Sequence, residues 1–189
     1  MSRGHVFVLI GPSGSGKTTL ADMAQREGLA GRIVTCTTRP PRPGEVDGVH
    51  YRFLSPDAFE ASFRAGELLE REQIHGHWYG APLSAVAEAL EAGRIIVVPL
   101  GYEGARRFKA LWPDHTTVVF VMPPDLEALR ERLGRRGDDA AVAEVRLAGA
   151  REEMALAAQA DAVVVNDDLD AAYARLRAII LGARAAAGR

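Results

Sequence analysis

The stretch VLIGPSGSGKTTL, residues 8–20, constrains the fold of this chain more strongly than any other part of its sequence. It fits the pattern G-x-x-x-x-G-K-[S/T] of a phosphate-binding loop, which lies between a buried strand and a helix, through Gly11, Gly16, Lys17 and Thr18. Glycines let such a loop turn its backbone N–H groups toward phosphate oxygens, and the helix N-terminus behind it adds partial positive charge. The stretch therefore predicts an α/β fold that holds a nucleotide by its phosphates.

The chemistry of this loop indicates ATP with Mg²⁺ as the bound species. We expect Lys17 to reach the β- and γ-phosphates and the Thr18 hydroxyl to be a Mg²⁺ ligand. A plain Gly/Ser turn before a helix is the alternative, and the strand pattern before the loop and the helical pattern after it argue against that alternative. The predicted ATP-binding residues of the loop are Gly11, Pro12, Ser13, Gly14, Ser15, Gly16, Lys17, Thr18 and Thr19.

The order of apolar runs along the chain predicts three layers, with helices on both faces of a parallel sheet. Runs rich in β-branched residues lie at 6–10, 33–36, 95–98, 117–121 and 162–165. Each run is apolar throughout, which is typical of strands buried on both faces. Helical patterns lie at 18–26, 85–92, 126–133, 142–157 and 171–186. This alternation predicts the three-layer α/β/α fold of the P-loop NTPases, with a parallel sheet.

Composition and charge narrow the classes of partner. The 189 residues carry a formal net charge of −2, so one globular domain is expected, with no electrostatic reason to bind nucleic acid. Cys36 is the single cysteine and cannot form an intramolecular disulfide, so nothing indicates an oxidising compartment. The apolar N-terminal run is too short to span a membrane and leads into a glycine loop. We expect a cytoplasmic monomer or homodimer that binds small nucleotides, with no nucleic-acid or membrane partner.

Two segments interrupt the α/β alternation, the proline-containing residues 37–84 and the arginine-rich residues 126–157. Around the first lie the stretches TCTTRPPRPGEVDGVHYRF, ELLERE and GHWYGAP. Together with the phosphate-binding loop they resemble the guanylate kinase family, whose members phosphorylate GMP with ATP. The resemblance extends over nearly the whole chain, through RRG, RLAGAREE and VVVNDDLD. It implies one domain, residues 1–189, with an inserted GMP-binding subregion at 37–84 and a helical lid at 126–157.

The resemblance assigns the acceptor nucleotide to side chains in and beside the inserted subregion. The implied acceptor-binding residues are Thr35, Arg39, Arg42, Tyr51, Glu70 and Tyr79. Guanidinium groups and tyrosine hydroxyls can donate to a phosphate, and one carboxylate can accept both N1–H and the 2-amino group of guanine. Adenine has no such donor pair, so Glu70 would select guanine. Taken singly, these residues also fit an exposed basic turn, tyrosines at a core edge and a solvated carboxylate.

The lid is implied to bring arginines to the phosphates, because the transferring group gathers charge that guanidinium groups stabilise and closure excludes water. By resemblance Arg132, Arg136 and Arg146 contact phosphates in the closed state, with Arg136 on the ATP side. Asn166 matches the family position near the adenine ring, and a simple turn residue is the alternative for it. The implied catalytic residues are Lys17, Arg39, Arg132 and Arg146.

The chain differs from the family at the end of the third apolar run, where members of the family usually have acidic residues. Pro99 and Gly101 occupy those positions, and Glu103 is a candidate replacement. Ala81 occupies a position where the family has a Ser or Thr hydroxyl that can bond guanine O6. The loss of this one neutral hydrogen bond would weaken binding by about 1 kcal/mol. Two alternatives remain: a kinase of this fold for another phosphorylated acceptor, such as ribose 1,5-bisphosphate, and a non-catalytic binding module. The intact phosphate-binding loop argues against the binding module.

Overall fold

The computed structural model describes residues 4–42, 44–74, 76–135 and 140–187. Its strands are β1 (His5–Ile10), β2 (Cys36–Thr37), β3 (Arg52–Phe53), β4 (Glu72–Ile74), β5 (His77–Gly80), β6 (Ile95–Pro99), β7 (Thr116–Met122) and β8 (Ala162–Val165). Its helices are α1 (Lys17–Arg26), α2 (Pro56–Arg64), α3 (Leu83–Glu91), α4 (Tyr102–Leu111), α5 (Leu126–Arg135), α6 (Ala140–Ala155) and α7 (Leu169–Ala187). Each helix within these residues is too short or too polar to cross a lipid bilayer.

A parallel sheet with the strand order β6-β1-β7-β8 forms the centre of the fold. Val8 of β1 pairs with Val98 of β6 on one side and with Val118 of β7 on the other. The predicted α/β fold with a parallel sheet is therefore confirmed. Because β1 lies inside the sheet, the loop that follows it starts at the carboxyl edge, where open α/β sheets bind their ligands.

Both faces of this sheet are covered, which explains why its strands are apolar along their whole length. Along β1, Val6, Val8 and Ile10 point to a core shared with α3 and α4, whereas Phe7 and Leu9 point to a core shared with α1 and α7. Each of these side chains is at most 2% exposed. Full burial of such a side chain contributes roughly 1.5–3 kcal/mol, so the phosphate-binding loop begins from a firmly anchored strand.

A second, smaller sheet with the order β3-β2-β5-β4 is built from the inserted subregion. The predicted main-sheet strand at 33–36 is wrong, because only Cys36–Thr37 are extended there and they pair with β3 and β5. Ile33 lies in the main core, while Cys36 packs with Phe59 and Leu68 in a core of its own. The apolar run at 33–36 therefore connects the main core to the core of the smaller sheet, and it is not a strand of the main sheet.

Helices α2 and α4 were absent from the sequence-based prediction. Helix α2 begins with Ser55, whose Oγ accepts a hydrogen bond from the Ala58 backbone N–H at 3.2 Å, followed by Pro56 in the first turn. Ser-Pro is a common helix start, so this signal was available. Helix α4 begins after Gly101, without a side-chain cap, and its first turn lies against the inserted subregion.

Helices α5 and α6 pack on each other through a small core of Leu129, Leu133, Leu147 and Ala150. This core lies against the phosphate-binding loop, since a Cβ on Gly14 would lie 3.1 Å from Leu129 Cδ1. The helical pair is thereby positioned over the loop that follows β1.

Candidate functional site

The phosphate-binding loop, residues 11–16, connects the buried end of β1 to the first turn of α1. Gly11 (φ 131°) and Gly16 (φ 102°) have left-handed backbone conformations that side chains rarely adopt. A Cβ on Gly11 would overlap the carbonyl oxygen of Val121, and a Cβ on Gly16 would overlap the amide nitrogen of Asn166. Glycine at these two positions therefore allows the loop to lie against the ends of β7 and β8.

Lys17 bends back over the loop that precedes it. Its Nζ donates hydrogen bonds to the carbonyl oxygen of Gly11 at 2.5 Å and to that of Pro12 at 3.1 Å. Lys17 also lines the cavity in front of the loop, where its charge opposes the rise in the pKa of Glu72 that burial causes. Positive charge is thus present at the point where the loop meets the cavity.

The hydroxyl groups of the loop suit a hard cation accompanied by phosphates. Ser15 Oγ is buried and has no hydrogen-bond partner among the described residues. Thr18 is exposed at the cavity wall, and Ser13 and Thr19 are exposed beside it. The described part of the chain contains no group of three or more His, Cys, Asp or Glu side chains that could hold a metal. Mg²⁺ takes few protein ligands and keeps phosphate and water oxygens, so this arrangement fits Mg²⁺ held by Thr18 and a nucleotide.

Asn166 joins three segments behind the loop. It is 4% exposed, and its Nδ2 donates to the Ser15 carbonyl oxygen at 2.7 Å. Its own carbonyl oxygen accepts a hydrogen bond from Arg132 Nη2 of α5 at 2.8 Å. The end of β8, the loop and α5 therefore meet at one residue. Arg136 lies outside the described residues, as does the side chain of Arg146.

One cavity of about 570 Å³ joins the phosphate-binding loop to the inserted subregion. Lys17 and Thr18 line it. Most of the acceptor-binding residues implied by the sequence line the same cavity, namely Thr35, Arg42, Tyr51, Glu70 and Tyr79. Two groups of residues from separate segments of the chain therefore share one space.

Arg39 lies beside this cavity in a fixed orientation. Its guanidinium donates to the two carboxylate oxygens of Glu45 at 2.8 and 2.9 Å. The same group stacks 5.5 Å from the ring centre of Tyr51, which meets the ring of Tyr79 edge to face at 6.0 Å. Three of the implied phosphate ligands therefore form one contiguous cluster.

Glu45 organises this cluster, and the sequence analysis did not single it out. Its carboxylate also accepts a hydrogen bond from the backbone N–H of Arg42 at 2.6 Å. Pairing with Arg39 and this bond lower the pKa of Glu45 to about 2. An acidic residue three positions after Arg42, on a loop stiffened by prolines, was the available signal for it.

Glu70 is a carboxyl group buried at the base of the cavity, with 5% of its surface exposed. Burial and then repulsion from Glu72 raise its pKa to about 8, while Arg107 acts in the opposite direction. Its Oε2 occupies space that Gly104 leaves open, because a Cβ on Gly104 would overlap this oxygen. An acceptor with this geometry and so little water is suited to a ligand that brings its own N–H donors.

Of the positions that depart from the family pattern, Pro99 lines this cavity at the end of β6, whereas Ala81 is fully buried in the main core. Glu103, the candidate replacement for the missing acidic residues, is an exposed residue of α4 whose carboxylate pairs with Arg106 at 3.2 Å. Glu72, which the sequence analysis missed, is half-buried in the cavity wall beside Glu70. Its spacing of two residues from Glu70 in an extended segment was the signal for it.

Comparison with known proteins places this geometry in context. The family model described as Guanylate kinase matches residues 3–183. A guanylate kinase from Symbiobacterium thermophilum is 43% identical over 186 residues, covering 97% of this chain and 87% of the relative. One from Methylobacillus flagellatus is 40% identical over 184 residues, covering 96% and 91%. The crystal structure of guanylate kinase from Anaplasma phagocytophilum is similar with a TM-score of 0.77 and 28% identity, covering 96% of this chain and 86% of that one.

Proposed function

This chain belongs to the guanylate kinase family, and from that membership and its site we infer that it transfers the γ-phosphoryl group of ATP to GMP, giving ADP and GDP. The observation that carries this conclusion is that one cavity is lined both by the phosphate-binding loop and by Glu70 with Arg42, Tyr51 and Tyr79. A shared space lets donor and acceptor phosphates meet in line, which is most of what phosphoryl transfer requires.

We propose that residues 11–19 hold the phosphates of ATP. Backbone N–H groups of the loop and the N-terminus of α1 face the β-phosphate, and Lys17 leaves its two carbonyl partners to reach the β- and γ-phosphates. Mg²⁺, when bound through Thr18 and the phosphates, neutralises charge on the transferring group. Asn166 supports the loop from behind and brings Arg132 to its edge.

We propose that Arg39, Arg42, Tyr51 and Tyr79 bind the phosphate of GMP. The Arg39–Glu45 pair holds one guanidinium in place before the substrate arrives, so less side-chain freedom is lost on binding. The acceptor phosphate is already a nucleophile at neutral pH, and the reaction needs no general base or covalent intermediate. Positioning by these four residues, with Thr35 beside the base, is therefore their contribution to the rate.

The helical pair of α5 and α6, within residues 126–157, is proposed to act as the lid of this kinase. Arg132 donates to the backbone of Asn166, whose side chain contacts the loop, and Arg136 and Arg146 complete the proposed set of arginines that neutralise charge in the closed state. We propose that the enzyme works in the cytoplasm, in purine nucleotide metabolism, as a monomer or homodimer with no nucleic-acid or membrane partner.

The proposed function is tested with a panel of phosphate acceptors. ADP release from ATP–Mg²⁺ is measured with GMP, dGMP, AMP, UMP and ribose 1,5-bisphosphate. We expect turnover with GMP and dGMP, and little with AMP or UMP, because adenine and uracil do not present the donor pair that Glu70 accepts. Turnover with the sugar bisphosphate alone would move the chain to a kinase for another acceptor. ATP binding without turnover on any acceptor would contradict the assignment as a kinase.

The affinity for GMP is expected to depend on pH through Glu70. Its dissociation constant should fall about tenfold per pH unit from roughly pH 6.5 to 8, because Glu70, with a pKa of about 8, must release its proton before it can accept two N–H groups. The groups that face Glu70 act in opposite directions, since the charge of Glu72 retains the proton and that of Arg107 expels it. Calorimetric titration at several pH values measures the slope. Glu70→Gln should bind weakly with no slope, and a flat wild-type profile would refute the linkage.

A further inference from the structure

We propose that Glu72 is a second base-binding carboxylate, which accepts the N–H of the guanine 2-amino group that Glu70 leaves unpaired. This inference rests on the proposed function and adds a specificity-determining residue to it. The residue lies outside the set that sequence and resemblance singled out, and three independent features of its surroundings support the assignment.

The first feature is the direction of the side chain. Glu72 is the first residue of β4 and lies two positions after Glu70. Its antiparallel partner across the strands is Tyr79, and directly opposed residues also share a face. All three side chains line the cavity that contains the phosphate-binding loop.

The second feature is the space beside Gly101. A Cβ on Gly101 would lie 3.0 Å from Glu72 Oε1 and 3.2 Å from its Cδ, so the carboxylate fills the volume that a side chain at 101 would occupy. The backbone of Gly101 is extended, with φ −81° and ψ 171°, a conformation open to any residue. Glycine at this position therefore matters because it has no side chain and leaves space for the Glu72 carboxylate. The acidic group that is missing from the end of β6 is thus replaced in space by one from β4.

The third feature is an unsatisfied acceptor. Glu72 is half-buried, and the described residues supply no hydrogen bond or ion pair to its carboxylate. Burial raises the pKa of the Glu72 carboxyl, and two effects oppose that rise from a distance: the attraction of Lys17, and the N-terminus of α4, which begins directly after Gly101. A desolvated carboxylate in this position has acceptor capacity available for a ligand.

Guanine has the donors that this pair of carboxylates needs. Its Watson–Crick edge carries one N–H at N1 and two on the 2-amino group. Glu70 can accept N1–H and one amino N–H, and the second amino N–H would be buried without a partner unless another acceptor is near. Hypoxanthine lacks the amino group and has nothing to offer Glu72. The pair therefore distinguishes GMP from inosine 5′-monophosphate (IMP), as well as from AMP.

The test compares dissociation constants of GMP and IMP by calorimetry in the full-length protein. We expect Glu72→Ala to weaken GMP binding relative to IMP binding by about 10- to 100-fold, the effect of one hydrogen bond to a charged group. The ratio is the readout because loss of the repulsion from Glu72 lowers the pKa of Glu70, which affects both ligands alike through N1–H. Gly101→Asp alone should also weaken GMP, because its side chain starts against the Glu72 carboxylate and adds a like charge. The double variant Glu72→Ala/Gly101→Asp should recover most of the lost affinity. Glu103→Gln, on the exposed face of α4, is the control without an effect.

Several results would overturn the inference. Equal weakening of GMP and IMP by Glu72→Ala would mean that Glu72 positions its neighbours or supports the fold. Weakened ATP binding with GMP unchanged would mean that Glu72 acts on Lys17. A double variant no better than Glu72→Ala would show that the location of the carboxylate beside residue 101 is irrelevant. A wild-type protein that does not bind GMP would overturn the proposed function itself, whatever the variants do.

Discussion

Replacing Lys17 with alanine is expected to lower kcat by at least about 10³-fold, since preorganised positive charge at the transferring phosphoryl group is the largest contribution to this kind of catalysis. The fold should persist, because Lys17 lines the cavity and does not belong to either hydrophobic core that flanks the sheet. A coupled assay of ADP release with saturating ATP and GMP measures kcat. Thermal unfolding of the same sample measures the stability.

The chain offers a matched control, because Lys109 is its only other lysine. Lys109 Nζ donates to the Thr116 carbonyl oxygen at 2.8 Å and to the Asp161 carboxylate at 2.8 and 3.0 Å, away from the cavity. Lys109→Ala removes the same charge and should lower Tm by a few degrees while kcat stays within about twofold. Substantial turnover by Lys17→Ala, with kcat within tenfold of the wild type, would refute the role given to Lys17.

Replacing Gly104 with alanine is expected to weaken GMP binding by about 100-fold while ATP binding is unchanged. The added Cβ would overlap Glu70 Oε2, so the carboxyl group must leave the position in which it faces the base. Stability should not fall in proportion, because alanine in a helix is favoured over glycine by about 1 kcal/mol. Separate calorimetric titrations with GMP and with an ATP analogue that cannot be hydrolysed measure the two affinities.

Gly182→Ala is the control for the change in helix propensity. Gly182 lies in α7, and a Cβ there meets nothing within 4 Å. This variant should be slightly more stable than the wild type and bind both nucleotides normally. If Gly104→Ala also binds GMP normally, Glu70 does not bind the base from the position it has in this structure.

The sequence was most informative where one local pattern determines one local structure. Strand β8 was predicted at its observed bounds, and β1 and α1 within one residue, because an apolar run and a glycine loop specify strand, turn and helix together. The run at 33–36 misled the prediction because Ile33 and Cys36 are buried in different cores, and periodicity carries no information about which core buries a residue.

In the candidate site, too, the residues within local motifs were predicted, whereas those defined by tertiary contacts were not. The loop residues and Glu70 were identifiable because each belongs to a quoted motif. Glu45 and Glu72 were not, since their importance depends on what they face: an arginine six residues earlier for Glu45, and the glycine that precedes α4 for Glu72. Sequence proximity suggested Glu103 as the replacement for the acidic residues at the end of β6, whereas the structure brings Glu72, from a distant part of the sequence, next to Gly101.

The hydrogen bond from Asn166 to the Ser15 carbonyl oxygen has a consequence for biosynthesis. It connects residues 151 positions apart, so the loop gains this support only after the ribosome has added 151 further residues. A nascent chain that ends before β8 contains every residue of the ATP-binding motif and lacks the buried amide on which the loop rests. Products that terminate between the loop and β8 therefore carry a nucleotide-binding sequence without a finished binding site.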